Sequence, residues 1–370
     1  MNRIYEFLIS LVIVVVLFAT VALFLPAKRT VVNKVESNRP VSTVFDVLNG
    51  FNRFDEWHVL RSDSMLKSQV SGPASGQGAT MTYSSLNRST GQGKWELVES
   101  EPEKKIKFKI DDSSQGTGKS MTFEFYRTGP MNKNVGILQT YEVDYGWNLF
   151  GRYAGMYVER NVGDQMKAGT KRLSTFLATI PKLSYADREQ PISFVDLPAA
   201  NVLAATVIAK RDNNEIATAI VNKMAWINKI IAANGLQASG PMRIVTNEFT
   251  SDSYSFDVVQ PVSKDGQTEG DWNVKTEAEV TFEQIPAGRA ATTDYTGYAT
   301  GLESERQVVR AWALVNGAST RDRAYDEYLV PVQQMMIFGL QPVNCRRPAA
   351  CVRAQQCFSN VVIQAGIYQL

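Results

Sequence analysis

Residues 105–110 read KIKFKI, and the strict alternation sets Ile106, Phe108 and Ile110 on one side of a strand and Lys105, Lys107 and Lys109 on the other. One apolar and one charged face is the pattern of an antiparallel sheet with a single wet side. The same period of two continues in both directions. It joins Met81 with Tyr83, Trp95 with Leu97, Met121 with Phe123 and Phe125, and Tyr141 with Val143 and Tyr145. Turn residues separate these runs, at Glu101-Pro102-Glu103, at residues 116–118 and at Gly129-Pro130.

Upstream, a short β run at residues 30–35 leads to Pro40, after which Val44, Phe45, Val47, Leu48, Phe51, Phe54 and Trp57 recur at helical spacing. Gly50 interrupts them, so two short helices with a break are expected. Downstream, Val162, Met166, Leu173, Phe176, Leu177 and Ile180 form the apolar stripe of a long helix. Gly169 lies on that stripe, where it costs about 1 kcal/mol relative to alanine. Its presence implies that something approaches the helix closely there, or that room is kept above the sheet face carrying Phe108 and Phe123.

Two short helices, a curved antiparallel sheet and a long helix laid across it make a grip around an apolar interior. On PVSTVFDVLNGFNRFDEWHV, the strand series and GDQMKAGTKRLSTFLATI, residues 28–180 resemble the START-like superfamily, also called SRPBCC, of polyketide cyclase-like and lipid-transfer proteins. The resemblance implies an apolar ligand held between sheet and helix. Its lining would come from Met81, Tyr83, Trp95, Phe108, Phe123, Phe125, Tyr141 and Tyr145, with Gly169 above; the bland alternative is that these rings fill a core. Gly118-Lys119-Ser120 imitates the end of a phosphate-binding loop, but Ser113 stands where that pattern requires glycine and the context is a hairpin.

Residues 181–191 read as a polar linker between two prolines, and beyond it the chain repeats itself. Phe194 with Pro198-Ala199 is echoed by Phe282 with Pro286-Ala287. Asp212 with Glu215, and Thr300 with Glu303, are capping-box patterns at two helix starts. Each helix carries a tryptophan, Trp226 or Trp312, and each ends in Asn-Gly, at Asn234-Gly235 and Asn316-Gly317. Gln-Pro-Val closes both halves, at 260–262 and 341–343, and the offset between halves falls from 88 to 81, so the first helix is the longer. These features predict a duplicated α+β unit, residues 192–343 with repeats at about 192–262 and 280–343, and a groove along its pseudo-twofold axis.

On SYSFDVVQPV, IPAGRAATTDYTGYATGL, AYDEYLVPV and MMIFGLQPV, this second domain resembles the gyrase-inhibitor-like, or AraC-effector-binding-like, small-molecule-binding domains. The resemblance implies a carboxylate two places before a tyrosine, in an aromatic pocket that pairs with lipophilic cations. Asp326, before Tyr328, takes the place of the family's glutamate, and Glu327 beside it is the competing candidate. Tyr295, Tyr298, Trp312, Tyr325 and Tyr328 would supply the rings. Some relatives are hydrolases, which keeps an enzyme reading open, and the DNA-binding helices of the regulator members have no counterpart here.

Residues 7–25 form an uncharged apolar run that, as a helix, spans roughly 28 Å, close to the roughly 30 Å core of a bilayer. An uncleaved transmembrane helix over residues 4–26 is expected rather than a signal peptide, whose apolar region is shorter. Arg3 on one flank and Lys28, Arg29 and Lys34 on the other favour the cytoplasmic side for the domains.

Composition narrows the chemistry. A net charge of +2 and no recognition-helix or zinc-finger pattern argue against a nucleic-acid partner. One histidine, His58, excludes multi-histidine metal sites, and as a loop residue it reads as structural. Cys345, Cys351 and Cys357 all lie in a tail, residues 344–370, expected to be an unstructured extension; no metal or cofactor is expected. The sequence therefore describes an α+β chain with a membrane anchor, a helix-grip domain and an effector-binding-like domain. It would bind small hydrophobic or cationic molecules as a sensor, carrier or sequestering module. The rival readings are a cyclase-like or hydrolytic enzyme with no assigned catalytic residue, and a scaffold with vestigial pockets.

Overall fold

The computed structural model describes residues 2–186, 188–277, 279–296, 301–328 and 360–368. The chain divides into two compact units at Ser184 and Tyr185, within the stretch read as linker.

The first unit opens with α1 (Asn2–Phe24) and continues through β1 (Lys28–Ser37), α2 (Val41–Leu48), α3 (Phe54–Trp57) and β2 (Lys67–Ser71). Five more strands follow: β3 (Thr80–Ser84), β4 (Gln92–Glu101), β5 (Lys105–Asp112), β6 (Thr117–Thr128) and β7 (Asn134–Asp144). They form one antiparallel sheet in the order β1-β7-β6-β5-β4-β3-β2. KIKFKI is β5, with Ile106, Phe108 and Ile110 buried. The break between α2 and α3 is made by Gly50, where an added Cβ would lie 2.8 Å from the Ala74 carbonyl oxygen. Only glycine lets these backbones meet. After β7 the chain is helical from α4 (Leu149–Ala154), through a 3-10 turn (Gly155–Tyr157) and a π turn (Glu159–Gly163), into α5 (Asp164–Thr179). The helical course thus begins earlier than the apolar stripe suggested. Met166, Gly169, Thr170, Leu173 and Leu177 are the buried face of α5.

The second unit contains β8 (Ser193–Leu197), β9 (Ala200–Lys210), α6 (Asn213–Ala233), β10 (Gln237–Ala238), β11 (Met242–Phe249) and β12 (Ser253–Ser263). It continues with β13 (Val280–Ile285), β14 (Gly288–Thr296), α7 (Leu302–Val315), β15 (Ser319–Tyr328) and β16 (Asn360–Tyr368). The sheet order is β13-β9-β12-β11-β15-β16-β14-β8, with β10 beside β12. From either edge inward the order is therefore alike: an outer strand, the strand before a helix, then the two strands after that helix in reverse. Helix α6 has 21 residues and α7 has 14, a difference equal to the fall in sequence offset between the halves. Both Asn-Gly ends are built alike. Gly235 and Gly317 take φ of +63° and +91°, and Leu236 and Ala318 donate back to the carbonyls of Ile231 and Ala313, as in a Schellman cap.

Two expectations are corrected. The stretch read as an unstructured tail contains β16, which lies between β14 and β15; the alternation in NVVIQAGIY carried that signal. At the start of α7 the N-cap is Gly301 with no side-chain bond, and Glu303 instead accepts from Arg306 and Gln307. Asp212 does cap α6, accepting from the amides of Asn214 and Glu215. Thr300, residues 341–343, the MMIFGLQPV stretch and the three cysteines lie outside the described residues.

Candidate functional site

The alternation of β3 to β7 turns Tyr83, Trp95, Phe108, Phe123 and Tyr141 into the interior beneath α5, and all five are buried. Trp95, Phe108 and Phe123 meet one another through Phe108, at centroid distances of 5.7 and 6.3 Å. Residues from the segment around α3 close over them: Phe51 on Phe108 at 5.7 Å, Phe54 on Trp95 at 5.4 Å and Trp57 on Phe123 at 5.6 Å. These rings occupy the space between sheet and helix. At Gly169 an added Cβ would stand 3.2 Å from the Trp57 carbonyl oxygen. Close approach of α3 is thus the reason for this glycine, and the room expected above Phe108 and Phe123 is taken by Trp57.

Within this apolar wall the Trp57 indole N–H is buried and has no hydrogen-bond acceptor among the described residues. A buried tryptophan N–H normally finds one. Beside it, His58 stacks on Phe54 at 4.3 Å and meets Trp95 edge-on at 4.9 Å. Its Nδ1 accepts from the Leu60 amide at 3.2 Å, capping the 3-10 turn Val59–Ser62. Burial, helped by the Arg172 charge, pushes the imidazole down to about 3.

The other part of the interior is polar. Lys119 is buried and donates to Asp112 Oδ1 at 2.5 Å, to the Ser114 carbonyl at 2.7 Å and to the Ser114 hydroxyl at 2.8 Å. Burial works to raise the Asp112 carboxyl, but Lys119 and Ser114 outweigh it and hold the carboxyl below its ordinary range. Burial and then the Asp112 charge push the Tyr83 hydroxyl up to about 12, and the same causes raise Tyr141. These tyrosines therefore stay protonated, as hydrogen-bond donors, and the carboxylate is an occupied acceptor. Lys119 was passed over in the sequence as a hairpin residue; its signal is that it falls in phase with Met121 and Phe123. A recess of about 380 Å³ opens elsewhere, beside Glu36, Arg39, Asn134, Ser174 and Leu177, and none of the expected lining residues touches it.

In the second unit Asp326 is 0% exposed and faces α7, where Arg306 grips it with two bonds, one of 3.0 Å from Nε and one from Nη2. Glu303 accepts from the same guanidinium at 3.0 Å, and the Tyr254 hydroxyl is a further hydrogen-bond partner. Burial disfavours the charged guanidinium, yet the Asp326 carboxylate holds its pKa above the ordinary value. Glu327 points to the opposite face and accepts from Arg243 at 2.9 Å. The carboxylate expected to await a cation is thus answered by the chain's own arginine, which sequence reading missed because the Glu303, Arg306 and Gln307 spacing looks like a solvated helix face. Of the described rings expected there, Tyr328 lies close enough to Asp326 to feel its charge, while Trp312 and Tyr295 have packing partners of their own. Tyr328 packs in the core under α6, Trp312 packs on Phe194 at 4.8 Å, and Tyr295 packs against Leu302. Tyr298 lies outside the described residues.

Residues 28–177 match the sequence profile of the family described as polyketide cyclase / dehydrase and lipid transport. Among solved structures, the C-terminal domain of EcmrR is 14% identical at a TM-score of 0.36, covering 50% of this chain and 100% of that one. Truncated norcoclaurine synthase from Thalictrum flavum is 12% identical at a TM-score of 0.33, covering 40% and 92%. A protein from Thermobifida fusca, solved in solution, is 18% identical at 0.31, covering 39% and 90%. No curated protein matches the chain.

Proposed function

Taking the first domain as one of the polyketide cyclase-like, SRPBCC fold, we propose that the chain is a membrane-anchored binding protein for a small hydrophobic molecule, acting as a sensor, carrier or sequestering module. The observation that carries this reading is the Trp57 indole N–H, stranded inside an aromatic wall. An apolar ligand with one acceptor atom supplies what that donor lacks. Entry requires the short segment around α3, rather than the sheet, to give way. The anchor is α1, whose uncharged run from Phe7 to Phe24 is almost wholly uncovered. We read the second domain as a duplicated effector-binding-like unit, on its symmetric strand order and matched helix ends. A lipophilic cation at Asp326 would have to displace Arg306, so the uncharged ligand of the first domain is the stronger assignment.

The polar part of the interior favours binding over catalysis. Tyr83 and Tyr141 keep their protons and Asp112 is committed to Lys119, so none of these three stands ready as a general base. The mutual packing of Trp95, Phe108 and Phe123 favours the second reading, a scaffold with filled interiors. An apolar probe dye separates the two. The full chain in detergent is expected to bind it with quenching of tryptophan emission, and Trp57→Phe is expected to weaken binding about 2- to 10-fold, the worth of one hydrogen bond. Equal affinity in both proteins would leave the indole without a ligand role, and no binding at all would favour the scaffold.

A further inference from the structure

Of the ten exposed large apolar side chains that the first domain carries outside α1, four fall within eleven consecutive residues, 147–157. Trp147 and Phe150 are 83% and 74% exposed, and Met156 and Tyr157 are about half exposed. All four belong to α4 and the residues flanking it. A contiguous group of large apolar side chains in the open marks a surface for an apolar or membrane partner.

A separate set of contacts says which partner. The same segment is fastened to the last two turns of α1. Phe18 stacks on Tyr153 at 4.5 Å and meets Phe150 at 5.1 Å, and the Tyr153 hydroxyl donates to the Phe18 carbonyl at 3.0 Å. Buried Arg152 donates to the carbonyls of Ala22, Leu23 and Leu25 at 3.2 to 3.3 Å. The Leu23 and Leu25 carbonyls are acceptors that the end of a helix cannot satisfy for itself, the Ala22 carbonyl also accepts from the Leu25 amide, and a cation there meets the negative end of the helix dipole. Ala22, fully buried, lets the two elements approach.

From Phe18 to Phe24 α1 rises about 9 Å. Elements lying in a membrane interface sink about 5 to 10 Å into the boundary between headgroups and acyl chains, the depth that tryptophan and tyrosine favour. We infer that residues 147–157 are a second, interfacial membrane contact: Trp147, Phe150, Met156 and Tyr157 enter that boundary beside α1 and hold the first domain against the bilayer. This rests on the reading of α1 as an anchor. Leu86, 88% exposed on the turn between β3 and β4, lies at the same end of the sheet, the end at which β1 follows α1. So do Tyr83, Asp112 and Lys119, at the ends of their strands, which sets the polar part of the interior on the side of the lipid.

The test uses the full chain in phosphatidylcholine vesicles whose acyl chains are brominated near the headgroup. Bromine quenches only nearby indoles, and α1 contains none of the chain's six tryptophans. The expected result is quenching in the natural protein that is lost in Trp147→Phe and restored by adding Phe150→Trp; both positions are open enough for the changes to leave the fold intact. A carbonate wash run in parallel reports on the anchor alone. Resistance to carbonate with no difference between the natural protein and Trp147→Phe would overturn the interfacial contact and leave the anchor standing. Release by carbonate would overturn the anchor reading and this inference with it.

Discussion

The sole histidine offers a clean titration. His58 is pushed down to about 3 from an ordinary 6.5, because the ring is packed among Phe54, Trp57 and Trp95 and faces the Arg172 charge. Protonation would also turn Nδ1 from an acceptor of the Leu60 amide into a donor facing it. Between pH 6.5 and about 3 the unfolded chain therefore holds one more proton than the folded chain, and stability rises with pH across that window. It is fully present above pH 6.5 and falls on acidification with a limiting slope of about 1.4 kcal/mol per pH unit, so about 2 kcal/mol is lost by pH 5. Denaturant unfolding of the full chain in detergent at pH 7.5 and pH 5 reads the loss, and the imidazole NMR resonance reads the titration directly. His58→Asn keeps an acceptor for the Leu60 amide and lacks the titrating ring. It is expected to be less stable at pH 7.5 but nearly flat between the two pH values. An imidazole that titrates near 6.5, or the same pH slope in His58→Asn, would refute the packing described for α3.

In the second unit, Asp326→Asn is expected to cost about 3 to 5 kcal/mol in denaturant unfolding, because Arg306 is left buried without its counter-charge, whereas Glu327→Gln costs distinctly less. The paired change Arg306→Met with Asp326→Leu should recover most of the loss, and failure to do so would mean that the pair does more than satisfy itself. Gly169→Leu is expected to cost about 1 to 3 kcal/mol by pushing α5 off the Trp57 carbonyl; an unchanged midpoint would show that α3 is not seated there. Deletion of residues 1–27 should make the chain extractable by a carbonate wash while leaving Arg152 without its three helix-end acceptors, detectable as faster amide exchange in α4. Unchanged exchange would argue that α4 does not depend on α1.

The helix-grip domain was legible because its signals are local. KIKFKI, the flanking alternations and the stripe from Met166 to Leu177 each declare their period within a few residues, and the buried faces follow them. The candidate site was less legible, since its character depends on which side chains meet. Tyr83, Trp95, Phe108, Phe123 and Tyr141 were placed in the interior by alternation, but alternation does not say whether an interior is open or filled. That is decided by Phe51, Phe54 and Trp57 folding back from another element. For the same reason the family resemblance points to Asp326, two places before Tyr328, but not to Arg306, its partner across the fold. Charge pairing between a helix and a strand leaves no periodic trace in sequence.

The central claim is that the first domain holds a small hydrophobic molecule against the Trp57 indole. The direct measurement is native mass spectrometry of the detergent-extracted full chain, followed by solvent extraction and identification of what is released. The expected result is a mass increment from one hydrophobic molecule bearing a hydrogen-bond acceptor, diminished in Trp57→Phe. A chain that flies at its bare mass after gentle extraction and takes up no apolar probe would contradict the claim.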